Sequence, residues 1–213
     1  MHDGQTSTPQ TSTPQTNTPQ IEAALAVRRL AHALVAHESD DSLLVRIADE
    51  ADRWVTDIEQ FPRLVRGPDA LRTDRAGGPP PDGAPVIHFD RCPISGVANP
   101  LATDLVARRV GDEVRCEVEL GPACEGPPGH AHGGIIAALF DDATAFLTRL
   151  LDETCVASEL TVHYRRPVPI GRPLHIEARV THRDGRRIYT EATMHDGETT
   201  VARATCTKVI IPS

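Results

Sequence analysis

A chain of 213 residues has room for one domain and its appendages, and 39% hydrophobic with 24% charged residues is the composition of a globular protein. A formal charge of −8 argues against a nucleic-acid partner, because phosphate binding wants a basic face. No run approaches the ~20 apolar residues of a membrane span, the N-terminus lacks the regions of a signal peptide, and Cys92, Cys116, Cys124, Cys155 and Cys206 are spaced as neither a disulfide framework nor a zinc knuckle, so a cytoplasmic protein is expected.

Residues 5–19, QTSTPQTSTPQTNTP, repeat a five-residue polar unit with a proline in each copy. Such a segment buries no apolar surface and sustains no helix, so residues 1–20 are expected to be a disordered tail. Residues 21–38, IEAALAVRRLAHALVAHE, carry Val27, Leu30 and Leu34 at helical spacing. Residues 39–61 open with Ser and Asp as capping candidates and repeat apolar residues at Leu44, Ile47, Ala51, Trp54 and Ile58. A helical hairpin over 21–61 is the expectation. Prolines and glycines, above all GGPPPDGAP at 77–85, then make 62–85 a linker.

From Val86 the period changes. Residues 102–120 alternate apolar and polar side chains on both sides of Gly111-Asp112, a hairpin signal. After a helical stretch near 133–151, residues 155–211 break at Gly171, Asp184-Gly185 and Asp196-Gly197 into four strand candidates. Strands, one helix and then an antiparallel meander define an α+β domain over 86–213.

The helical stretch opens on GPPGHAHGGIIAALFDDATAFL, residues 126–147, which admits several readings. His130 and His132 form an H-x-H pair that suits a metal, but no third ligand-type side chain comes before Asp141, and no metal is expected. Gly133-Gly134 at a helix start presents free N–H groups and the positive end of the dipole, although the glycine-rich nucleotide motifs are absent. Such N–H groups would polarise a ligand carbonyl as an oxyanion hole does. The plainest alternative is a buried helix. On a wheel, Ile135, Ile136, Leu139, Phe140, Ala143, Phe146, Leu147, Leu150 and Leu151 fill one arc, while Ala137, Asp141, Thr144, Ala145 and Thr148 fill the other, with Asp142 at the edge of the apolar face. An exposed face is usually filled with Lys, Glu and Arg. Small residues around a central Asp141 imply that something packs closely there.

These residues resemble the helix motif of the PaaI/THEM4-like hotdog-fold acyl-CoA thioesterases, H-G-G, six residues, then D. The stretches DRCPISGVANPL (90–101) and ELTVHYRRPVPIGRPLHIEARV (159–180) resemble the family's flanking loop and strand, in the right order. The resemblance covers residues 86–211 and implies a hotdog fold, a curved antiparallel sheet wrapped around one long helix, here with an N-terminal helical extension. It implies paired subunits, a homodimer or a dimer of dimers, with active sites at the interface. It implies hydrolysis of an acyl-CoA thioester without metal or redox cofactor. Asp141 would act as general base or nucleophile, and His132 with the N–H groups of Gly133 and Gly134 would orient and polarise the thioester. Substrate contacts are expected from Asn99, Asp142, Ser158, Arg165 and Arg166, the arginines meeting CoA phosphates. His130 reads as a loop residue near the mouth of the site. Two departures stand out: Asp142 where many relatives carry Glu, and Ala157 where many carry Thr. The second motivates an alternative, a non-catalytic acyl-CoA or lipid-binding hotdog protein. A hotdog hydratase fits the motif less well.

Overall fold

A computed structural model describes residues 18–65 and 78–211. The repeat through residue 17 and linker residues 66–77 lie outside the described residues. Helices α1 (Thr18–Ala36) and α2 (Asp41–Glu59) come first. The domain then runs β1 (Val106–Val110), β2 (Glu113–Glu119), a short 3-10 turn (Pro122–Cys124), α3 (Gly133–Leu150), β3 (Cys155–Tyr164), β4 (Pro173–Asp184), β5 (Arg187–Asp196) and β6 (Thr199–Ile210). The six strands form one antiparallel sheet in the order β1-β2-β4-β5-β6-β3.

The hairpin and the four later strands stand where the alternation places them. Only β4, β5 and β6 form a meander, however: β3 crosses to the far edge of the sheet and pairs with β6, which corrects the expected four-strand meander. Gly111, Gly185 and Gly197 turn three of the connections with φ of 59°, 53° and 56°, a region that only glycine enters at little cost. Alternation is visible in burial: β2 buries Val114, Cys116 and Val118, and β4 buries Leu174, Ile176 and Ala178. Those inward rows close on α3, whose Leu139, Phe140, Ala143, Phe146 and Leu147 are almost fully buried. With aromatics at 3% of the chain, Phe140 and Phe146 are its two largest fully buried side chains. Each contributes on the order of 2–3 kcal/mol by removal from water.

Three expectations need correction. Thr18, Pro19 and Gln20, assigned to the tail, form the first turn of α1, where proline costs little because the first N–H groups of a helix have no partner anyway. The helices of the extension share no core as a packed hairpin would, since α2 buries none of its side chains. Asp40 caps α2 by accepting from Leu43 N–H at 2.9 Å, and the hydrogen bonds from Ser42 and Leu43 hold its carboxyl below the usual carboxylate range. The end of the linker belongs to the sheet: Val86 N–H donates to Ala107 O at 2.9 Å, and Gly83 and Ala84 bond to Arg109, so the segment pairs along the free edge of β1.

α1 is fastened by polar contacts. Arg28, 5% exposed, pairs with the Asp104 carboxylate and donates to Asn99 O at 2.7 Å, and burial pushes its guanidinium below its ordinary pKa. His32 Nδ1 accepts from Ala123 N–H at 3.1 Å. Gln20 accepts from Arg91 at 2.8 Å. The helix thus grips both the 91–104 loop and the 3-10 turn.

Phe140→Ala should lower unfolding free energy by about 3–5 kcal/mol, the range for emptying a packed aromatic site. Urea denaturation followed by far-UV circular dichroism checks it, and a loss under about 1 kcal/mol would contradict the burial.

Candidate active site

The start of α3 is built from His132. As N-cap residue it is extended, with φ −65° and ψ 135°, and its Nδ1 accepts from Gly134 N–H at 3.0 Å. A neutral imidazole that accepts at Nδ1 carries its proton on Nε2, so His132 offers an Nε2–H donor. This divides the expected pair of backbone donors. Gly134 N–H is taken by the cap, while Gly133 N–H has no acceptor among the described residues. Tyr164 donates its hydroxyl to Gly133 O at 2.8 Å, and a Cβ on Gly133 would lie 3.4 Å from that hydroxyl. Behind the cap, Gly126 approaches so closely that a Cβ there would lie 2.9 Å from His132 Cα. Ala131 and His132 are hung from both sides, by Ala131 N–H to Val168 O at 2.8 Å and His132 N–H to Cys124 O at 2.9 Å.

A cleft of about 430 Å³ opens beside this helix end. Gly133, His130, Tyr164, Arg165 and Arg166 line it, and both arginines are exposed.

Asp141 lies eight residues along α3, about 12 Å from Gly133 at 1.5 Å per residue. It faces a second cleft of about 300 Å³, lined also by Asp142, Ala145, Arg149, Ala157 and Lys208. Its side chain is 51% exposed, whereas that of its ion-pair partner Lys208 is 3% exposed, with Nζ 3.0 Å from Oδ1. Lys208, on β6, was not among the residues singled out in the sequence. The inward alternation of that strand would have placed it against the helix. The helix is also buried more widely than the wheel allowed: Thr144 and Thr148 are 0% and 4% exposed, which the helix backbone makes tolerable by accepting their hydroxyls at Asp141 O and Ala145 O.

Asp142 lines the same cleft but is only 9% exposed. Its Oδ1 accepts from the Cys92 thiol at 3.4 Å, and its Oδ2 has no partner among the described residues. Burial, with Asp142 adding its charge, pushes the neighbouring Cys116 thiol up to about 12, so Cys116 stays protonated. The remaining expected contacts are committed elsewhere. Asn99 donates from Nδ2 to Arg91 O at 3.0 Å and accepts Leu101 N–H at 2.9 Å, closing its own loop. Ser158 sits at the β-bulge between Ala157 and Glu159 and donates to Thr207 O at 3.1 Å. Neither residue lines the two clefts.

A sheet wrapped on one long helix, with an open N–H at the helix start and a carboxylate in a cleft further along it, defines a hotdog protein. Residues 128–203 match the family model of the thioesterase superfamily. The solved structure of protein RHA08564, a thioesterase superfamily protein, superposes with a TM-score of 0.77 and 25% identity over 93% of this chain and 94% of that one. Acyl-coenzyme A thioesterase THEM4 of Xenopus laevis is 31% identical over 96 residues, 45% of this chain and 43% of that protein. Acyl-coenzyme A thioesterase THEM5 of Mus musculus is 29% identical over 91 residues, 42% of this chain and 37% of that protein. The chain therefore spans less than half the length of these curated relatives. No helix among the described residues is long and apolar enough to cross a membrane.

The wall of the Asp141 cleft depends on Gly96, where an added Cβ would overlap the backbone of Cys92 and Asp90. Gly96→Ala should cost about 1–3 kcal/mol, as overpacking does, by displacing the loop that carries Cys92. A melting curve unchanged from wild type would show that the loop yields without cost.

Proposed function

We propose that the chain is an acyl-CoA thioesterase, hydrolysing an acyl-CoA thioester to a carboxylic acid and free CoA. The observation that carries this reading is the geometry of Asp141: a half-exposed carboxylate in a cleft, one oxygen held by a buried lysine and the other available. Carboxylates of this kind activate water or attack an acyl carbon directly. In the first case Asp141 takes the proton as water oxygen bonds to the carbonyl carbon. The C–S bond then breaks, and the departing thiolate recovers the proton.

A carbonyl at Asp141 needs donors for its developing negative charge beyond the one N–H left on Lys208, and the helix-start donors of the same chain are about 12 Å away along the helix. The Gly133 N–H and the His132 Nε2–H of a second copy meet that need. We therefore infer a homodimer whose sites each take the helix start of one subunit and Asp141 of the other. Arg165 and Arg166, exposed beside the helix start, are where the CoA phosphates would be met. The names of the relatives, acyl-coenzyme A thioesterases, support the substrate class. Five free thiols suit a reducing, cytoplasmic setting.

Thiol release from a panel of acyl-CoAs, short to long and aryl, tests the reading. Asp141→Asn should lower turnover of the best substrate by about a hundredfold or more with the fold intact. Absence of turnover by the wild type, with tight acyl-CoA binding by both proteins, would instead identify a binding protein. The shared site has its own test. In a two-fold dimer formed by mixing Asp141→Asn with His132→Ala, half the molecules are mixed and each holds one intact site, so roughly a quarter of wild-type activity should return. Additive residual activities would place each site within one chain. Charge reversal at Arg165 and Arg166 should raise KM for acyl-CoA more than for a short thioester lacking the nucleotide. Equal effects on both substrates would count against phosphate contact.

A further inference from the structure

β6 turns every second side chain toward the helix, and Ala204, Cys206 and Lys208 follow one another in that buried row. A lysine is out of place there, because an ammonium taken from water without a counter-charge is among the costliest groups to bury. Among the described ion pairs only Lys208 and Arg28 have cations this buried, and Arg28 serves to fasten α1. Both acceptors bonded to Lys208 belong to one residue: Asp141 Oδ1 at 3.0 Å and Asp141 O at 3.3 Å. Its register partner on β3, Ala157, contributes only a methyl group to the same cleft wall.

We propose that Lys208 is the positioning residue of the reaction. It engages Oδ1 and the main chain of Asp141 together, which selects one rotamer of the carboxylate and leaves Oδ2 as the oxygen presented to the cleft. An ammonium has three N–H groups and Asp141 occupies two, so one remains for a group in the cleft. This inference rests on Asp141 being the acting carboxylate. A lysine that served only to tie β6 to α3 would give the same contacts but a different response to its removal.

The test compares Lys208→Met, Lys208→Arg and Lys208→Ala with Asp141→Asn, measuring kcat, KM and thermal unfolding. In Lys208→Met, kcat should fall at least about tenfold while KM changes by less than about twofold, with partial recovery in Lys208→Arg. Added ethylammonium should restore turnover to Lys208→Ala saturably, which a purely architectural lysine would not allow. The double variant Lys208→Met/Asp141→Asn should be no slower than Asp141→Asn alone, the non-additivity of two groups acting as one. An unchanged kcat in a folded Lys208→Met, alongside an inactive Asp141→Asn, overturns the role of Lys208 alone. The same follows if kcat falls only with loss of folded protein and no amine restores Lys208→Ala. Full turnover by Asp141→Asn overturns the reading of Asp141 itself, and the positioning role with it.

Discussion

The burial of α3 is the constraint on which the rest depends. A helix whose Ile136, Leu139, Phe140, Ala143, Phe146 and Leu147 must all leave water needs a cover wider than one neighbouring helix offers. A six-stranded sheet provides it by curving, so that the inward rows of β2, β4, β5 and β6 all reach the same helix. The bulges in β3 and β4, and the irregularity between Met194 and His195, occur within these long strands, where extra local twist helps the sheet bend.

That wrapping also decides where chemistry is possible. Most of the helix surface is taken by packing, including Thr144 and Thr148, and what stays open is its N-terminus and the side at Asp141. The two openings are about two turns apart. A rigid helix cannot bring them together, so one substrate carbonyl meets both kinds of group only if two chains contribute. β3 fits this reading: it is the last strand of the sheet, and Val156 and Tyr164 remain exposed along it.

The N-terminal extension contributes through its contacts. α1 joins the 91–104 loop to the 3-10 turn, and the turn passes directly to His132 through Cys124 O. Two walls of the candidate site are thus held by one helix, through these polar contacts and the buried Ala24. Gly121 belongs to the same device, since a Cβ there would collide with the ring of His32. α2 takes no part, and its apolar residues Trp54, Val55 and Ile58 stay exposed.

By itself the sequence determined the class of the domain, the strand succession and the helix that carries the motif, because period-2 and period-3.6 patterns and glycine turns are local properties of the chain. It also singled out His132, Gly133 and Asp141, through the spacing of H-G-G to D and through the small residues around Asp141. It did not reveal Lys208, since the value of a lysine in a strand depends on what lies across the sheet from it. Asn99 and Ser158 read as substrate contacts for the complementary reason: their polar atoms are satisfied by backbone groups that only the folded loop and the bulge bring within reach. The tertiary structure alone decided that Asp142 is buried against Cys92 in the cleft wall while Asp141 stays half-exposed in the same cleft, paired with Lys208. Adjacent helical residues differ by about 100° in direction, and only the packed position of the helix says which of the two carboxylates points at open space.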